Sequence, residues 1–219
     1  MDIGADPSMV QNIEYALEVR LAESETEIRA AQALRYQIFY ETMGAYGSPE
    51  IEKARRDFDR FDAVCDHMLV IDHKNAAAPR IAGTYRMLPS SRALRTGGYY
   101  SASEFDLSPL DRFPGEKLEL GRACIDRAYR NKAVLQLLWK GISAYLEDHD
   151  IGLMFGCASF PGTDLSTMSM ALSHLARECQ APGEWRPNAV PERYVDIRLL
   201  KRNQIDLRQA QREMPPLIK

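Results

Sequence analysis

Leu118-Glu119-Leu120-Gly121-Arg122-Ala123-Cys124-Ile125-Asp126, followed by Arg127-Ala128-Tyr129-Arg130-Asn131-Lys132 and a helical run from about Ala133 through Trp139, decides the fold. The first nine residues read as an apolar strand carrying Glu119 and Arg122. In the helix, Val134, Leu137, Leu138, Ile142 and Tyr145 recur at helical spacing and form a buried stripe. A strand that feeds a helix through a basic turn aims unpaired backbone N–H groups and a positive dipole end at one point, which suits a phosphate. A carboxylate and an arginine lie on the incoming strand, where a thioester carbonyl and an amine can meet. The combination points to acyl transfer.

Outward from this stretch the chain reads as strands with helices interposed. Residues 1–12 form a loose leader with Gly4 and Pro7, and Glu14 to Leu21 reads as a first strand. Ser24-Glu25-Thr26-Glu27 is a capping box, and Ile28, Ala31, Leu34 and Ile38 then follow helical spacing up to Gly44. The polar connection from Gly44 to Asp66 is long enough to suspect function in it. His67–Asp72 and Arg80–Leu88 read as a hairpin, and Pro89–Gly115 as a surface wrap rich in Ser, Gly and Pro. Gly152–Phe160 is a short strand; after Pro161-Gly162-Thr163-Asp164 comes a helix with Met168, Ala171, Leu172, Leu175, Ala176 and Cys179 on one face. Tyr194–Leu200 reads as a last strand. Mixed strands and helices around one sheet give an α/β domain over 13–219.

Length and composition fit one soluble globular domain: 219 residues with 45% apolar and 27% charged content. A net charge of −3 gives no reason to expect nucleic acid. No apolar run reaches membrane-spanning length and the N-terminus lacks a signal-peptide pattern, so the expected location is the cytoplasm. Cys65, Cys124, Cys157 and Cys179 are dispersed, which reads as reduced thiols. His67, His73, His149 and His174 have no metal-ligand spacing, so no metal is expected.

The ordered set of residues resembles the ornithine–acyl-carrier-protein N-acyltransferases of bacteria, GNAT-fold enzymes related to the autoinducer (acyl-homoserine-lactone) synthases. The resemblance covers about Leu17 to Lys219. It is carried by Leu118–Trp139, by Asp150–Asp164 with Phe155-Gly156-Cys157-Ala158-Ser159-Phe160, and by Arg193-Tyr194-Val195-Asp196. A second layer, shared with the autoinducer synthases, comprises Arg35 and Phe39 on the first helix, Asp59 and Asp62 in the following loop, Arg86, and Glu119 with Arg122. The resemblance implies a GNAT-like fold, with a mixed, mostly antiparallel central sheet flanked by helices. It implies transfer of a long 3-hydroxyacyl group from acyl carrier protein to the α-amine of L-ornithine, giving lyso-ornithine lipid. Acyl carrier protein and the amino acid are then the partners, the acyl-phosphopantetheine thioester is a co-substrate, and no cofactor is needed.

Two departures from the family pattern stand out. Arg130-Asn131-Lys132-Ala133 lacks the spaced glycines of the acetyl-CoA-using branch, so its backbone suits one phosphate of a pantetheine better than a bulky pyrophosphate. The family's chains also generally continue past Pro215-Pro216-Leu217-Ile218-Lys219, so the resemblance implies a missing C-terminal portion.

Several residue roles stay open at this level. Glu119 suits the general base, directly or through a water, yet a strand-end ion pair with Arg122 is the plainer alternative. Residues three apart on a strand face opposite ways, so that pair needs a bulge. Asp59 and Asp62 suit an acceptor's side-chain ammonium and Arg35 or Arg86 its carboxylate, yet the aspartates equally suit solvated charge. Arg130 and Lys132 are phosphate contacts or surface charge. The tail from Arg198 to Arg212 reads as a helix packed on the sheet, with contact to anionic lipid at the inner membrane or to acidic acyl carrier protein as alternatives. An autoinducer synthase is the nearest rival function, but Gly44–Asp62 lacks the tryptophan typical of that group. A non-catalytic acyl-carrier or lipid-binding protein is the third reading.

Overall fold

In the computed structural model, which describes residues 17–75 and 78–218, the strands are β1 (Leu17–Leu21), β2 (Asp66–Asp72), β3 (Arg80–Pro89), β4 (Phe105–Asp106), β5 (Glu116–Ile125), β6 (Ile151–Phe155) and β7 (Asn188–Ala189). The main sheet has the order β1-β2-β3-β5-β6. Its first three pairings are antiparallel and β5–β6 is parallel, giving the mixed, mostly antiparallel sheet the sequence implies. Where the sequence suggests one domain over 13–219, contacts group the described residues into two compact units. One is drawn from Met1–Gly98 and Gly115–Phe155, the other from Tyr99–Pro114 and Gly156–Lys219.

In the first unit, helix α1 (Glu25–Tyr36) is followed by the short helices α2 (Pro49–Ala54) and α3 (Ser90–Ala93) and by α4 (Lys132–Asp148). The parallel β5–β6 pair needs a crossover, and α4 supplies it. The middle of strand β2, Met68 to Ile71, is continuously apolar because both of its faces are covered. Met68 and Val70 pack with Val134, Leu138 and Ile142 in one core cluster, while Leu69 and Ile71 pack with Ala31 in another. Gly141 allows the first of these contacts: a Cβ there would lie 2.7 Å from Val19 Cγ2 and 2.8 Å from Met68 Sδ. Ser24 caps α1 by accepting from the Glu27 N–H at 3.2 Å, but Glu27 accepts from the Glu23 N–H at 2.7 Å instead of closing the box on Ser24. Helix α1 widens into a π-helical segment, Gln37–Thr42, before Gly44 ends the run at φ 75°.

In the second unit, helices α5 (Ser169–Glu178) and α6 (Leu207–Glu213) pack through Ala171, Ala210 and Met214, and β4 pairs with β7. The strand expected over 194–200 does not form. Its last residue is held by side chains of α5: Leu200 N–H donates to Ser173 Oγ at 2.9 Å, and Arg177 Nε donates to the Leu200 carbonyl at 2.8 Å. The tail is helical over a 3₁₀ turn, Arg202–Gln204, and over α6, which packs on helix α5. No helix among the described residues is long and apolar enough to cross a membrane.

Candidate active site

The loop after α2 begins at Arg55, a left-handed C-cap with φ 49°, and turns back beneath α1. Asp57 N–H donates to the Gln32 carbonyl at 3.0 Å, which fixes the start of the loop. Asp59 N–H donates to Asp62 Oδ2 at 2.8 Å, and Phe61 N–H donates to Asp59 Oδ1 at 2.8 Å. These side-chain-to-backbone bonds satisfy a segment that joins no ladder, and they aim three aspartates inward.

Three arginines meet them from three elements. Arg35 of α1 is fully buried. Its Nε donates to Asp57 Oδ2 at 2.8 Å, and its Nη2 donates to Asp62 Oδ1 and to the Asp57 carbonyl, both at 2.6 Å. Arg86 of β3 donates through Nη1 to Asp59 Oδ1 at 2.7 Å and Asp62 Oδ2 at 3.3 Å, with its guanidinium 5.6 Å from the Phe61 ring centroid. Arg122 of β5 lies with Nε 3.5 Å from Asp57 Oδ2 and Nη2 3.7 Å from Asp59 Oδ2. Burial works against the Asp62 carboxylate, but Arg35 and Arg86 outweigh it and hold its pKa below the ordinary value. Burial likewise works against the Arg86 cation, and Asp59 and Asp62 outweigh it.

The bulge that the Glu119/Arg122 spacing calls for is present. Thr84 faces Cys124 and Arg86 faces Gly121, so Arg122 and Ala123 together oppose Tyr85, and Arg122 takes φ 53°. Glu119 is buried on the same strand, opposite Leu88 on one side and Phe155 on the other. Burial pushes the Cys65 thiol up to about 12, with Arg86 opposing and Asp62, Asp59 and Glu119 adding to it. In the network itself the guanidiniums of Arg35, Arg86 and Arg122 meet the carboxylates of Asp57, Asp59 and Asp62, so its formal charges balance, and Glu119 is a further carboxylate on β5.

Strand β6 ends at Phe155, opposite Glu119, whereas β5 runs on to Ile125. Beyond Glu119 no described strand pairs with β5 on that side. The strand leads to Arg130, Asn131, Lys132 and Ala133, all exposed, at the start of α4. Asn131 Oδ1 caps the helix by accepting from the Val134 N–H at 3.1 Å, so the N–H groups of Lys132 and Ala133 are the first-turn donors left for an anion.

The residues singled out in the sequence therefore fall into three places. Arg35, Asp59, Asp62, Arg86 and Arg122 come together in one ion-pair network; Glu119 lies where β6 leaves β5; the 130–133 turn opens α4. Phe39 packs in an apolar cluster with Leu34, Ile38 and Cys124. Within the network, burial separates the residues by role. Arg35 and Asp62 spend their charges on neighbours, whereas the side chains of Arg122 and Asp59 keep 27% and 26% of their exposure. Asp57, its hydrogen-bonding partner Tyr40 (OH to Oδ1, 3.0 Å) and buried His67, whose Nε2 is 3.1 Å from the Asp62 carbonyl, were not anticipated. The interleaving Asp57-Phe58-Asp59-Arg60-Phe61-Asp62 is the signal for Asp57, since a merely solvated charge run has no use for two phenylalanines.

Residues 34–140 match the family described as acetyltransferase (GNAT) domain, a span that contains the whole ion-pair network, Glu119 and the turn at 130–133. Over 207 residues, 93% of this chain and 71% of the relative, the chain is 46% identical to an L-ornithine N(alpha)-acyltransferase of Agrobacterium fabrum. The chain belongs to the L-ornithine N(alpha)-acyltransferase family. A second member, from Rhizobium meliloti, is likewise 46% identical over 93% of this chain and 70% of its own. Among solved structures, the AHL synthase LasI is similar over 64% of this chain and 70% of that one, at 17% identity and a TM-score of 0.44.

Proposed function

We propose that the protein transfers a long 3-hydroxyacyl group from the phosphopantetheine thioester of acyl carrier protein to the α-amine of L-ornithine, forming lyso-ornithine lipid. The observation that carries this reading is the ion-pair network with its partly exposed Arg122 and Asp59, on the same strand as buried Glu119 where β6 leaves β5, in a chain of the L-ornithine N(alpha)-acyltransferase family.

In this reading the pantetheine arm lies along β5 beyond Glu119, and its phosphate meets the Lys132 and Ala133 N–H groups with Arg130 and Lys132 alongside. Asp59 takes the side-chain ammonium of ornithine and Arg122 its carboxylate, because these are the network's accessible members. Arg35, Asp62 and Arg86 hold them in place. Glu119 accepts a proton from the α-ammonium, directly or through a water. The freed amine attacks the thioester carbonyl, a C–N bond forms, the C–S bond breaks, and the pantetheine thiol leaves with a proton. Backbone N–H groups of β5 suit the developing oxyanion.

The test combines purified protein, a 3-hydroxyacyl carrier thioester and ornithine, with the product identified by mass spectrometry. An amide on the α-nitrogen supports the reading. A lactone from S-adenosylmethionine, or acyl carrier binding without turnover, overturns it.

A further inference from the structure

We propose that Tyr129 and Asp72 are positioning residues of the donor site, and that the bond between their side chains places the turn that takes the donor's phosphate. This rests on the reading of the 130–133 turn as the phosphate site.

The stretch between β5 and α4 is held mostly by bonds of its own. Asp126 caps a single 3₁₀ turn, Arg127–Tyr129, by accepting from the Ala128 N–H at 2.8 Å. Tyr129 N–H donates to the Asp126 carbonyl at 2.8 Å, and Asn131 N–H donates to the Tyr129 carbonyl at 2.7 Å. Arg130 Nε donates to the Ile125 carbonyl at 3.4 Å. These bonds shape the turn without placing it against the sheet. Its start is anchored, because Asp126 N–H donates to the Ala82 carbonyl at 2.8 Å.

The rest of the placement comes from the β2–β3 hairpin. Asp72 and Arg80 face each other where β2 ends and β3 begins, and both side chains reach across to the turn. Tyr129 OH donates to Asp72 Oδ2 at 2.5 Å. Arg80 Nη2 donates to Asp126 Oδ2 at 2.6 Å, with its guanidinium 5.8 Å from the Tyr129 ring centroid. Asp72 is buried, and its other oxygen accepts from the Lys74 N–H at 2.8 Å, which fixes its rotamer. The tyrosine's bond holds the Asp72 carboxyl below its ordinary pKa. The Arg80 side chain keeps 59% of its exposure, so water competes for its link, and it holds a residue the backbone already anchors. The Tyr129 link is therefore the one that fixes the far side of the turn. Its ring packs against the core cluster of Met68 and Val134, but packing alone needs no hydroxyl.

Tyr129 adjoins Arg130, and its carbonyl holds Asn131, the cap of α4. A turn released from Asp72 shifts that cap together with the Lys132 and Ala133 N–H groups. The phosphate then loses aligned donors, while the thioester end of the pantetheine arm, near Glu119, keeps its surroundings.

The test is titration of the intact chain with 4′-phosphopantetheine and with pantetheine, read from the Lys132 and Ala133 amide resonances and by calorimetry. The readout is the ratio of the two dissociation constants, which isolates the phosphate. Tyr129→Phe should shrink the wild-type ratio about 10-fold through the phosphorylated ligand alone, since misplaced donors cost binding steeply. Asp72→Ala should do the same, and the double variant should be no worse than either, because one bond is lost in all three. Ser24→Ala removes the cap of α1, lowers stability without touching the turn, and should leave the ratio at its wild-type value. A ratio kept by Tyr129→Phe, an equal loss of affinity for both ligands, or additive costs in the double variant overturns the proposal alone. A ratio of one in the wild-type protein overturns the phosphate reading of the turn, and the proposal with it.

Discussion

Asp59 and Asp62 are three residues apart and share Arg86, yet burial gives them different work. Asp62→Asn removes a charge from between two buried guanidiniums and should cost about 3–5 kcal/mol in urea unfolding, as breaking a buried ion pair does. Asp59→Asn, a quarter exposed, should cost less stability than Asp62→Asn, since Arg86 keeps Asp62, and should raise the KM for ornithine far more than that for the donor. Glu119→Gln keeps shape and loses basicity, so kcat should fall about 10²- to 10⁴-fold in a folded protein whose donor binding is little changed. His67 adds a pH dependence. Burial holds its pKa below the ordinary 6.5. The unfolded chain therefore binds a proton there that the folded chain refuses, and stability is full above pH 6.5 and falls on acidification below it. Urea midpoints measured from pH 7.5 down to 5 should drop, and His67→Gln should flatten that slope. The sequence makes Arg35, Asp59, Asp62, Arg86, Glu119 and Arg122 stand out by type and order. It hides the difference between a residue that meets substrate and one that braces it, because that difference is burial, and burial of a charge depends on partners far away in the chain. Asp57 was hidden for the same reason, since Arg55, Arg56 and Arg60 around it mimic a solvated run.

Elements with long periodic patterns were legible: β2, β3, β5, α1 and α4 lie where alternation and helical spacing put them. Those decided by contact were not. β4 and β7 have two residues each, too few for any period to register, and 194–200 alternates like a strand while its end is tied to α5 by side chains. Gly141 shows the same limit inside a good helix. By propensity Gly141→Ala should stabilise α4 by about 1 kcal/mol. The added methyl would meet Val19 and Met68 well inside contact distance, so the overpacking cost of about 1–3 kcal/mol should win. Thermal unfolding checks the sign, and an unchanged or raised Tm would mean that α4 shifts freely over β1 and β2.

For the molecule as a whole, the proposed donor is itself a protein, which brings ionic strength into the kinetics. The turn at 130–133 offers exposed Arg130 and Lys132 to a phosphate and to an acidic carrier surface. With chain length matched, kcat/KM should favour a carrier-protein thioester over a CoA thioester, and added salt should erode the preference mainly through the rate of association. Equal efficiency with both donors would remove the carrier from the account. The order in which the chain is made adds a constraint of a different kind. The second unit draws on two separated stretches, 99–114 and 156–219, so its first stretch leaves the ribosome long before its second. At roughly 5–20 residues per second, Phe105–Asp106 waits about 4–16 s for Asn188–Ala189 to be synthesised. During that interval the nascent chain carries a strand with no mate, a natural point for a chaperone to hold and for a protease to cut.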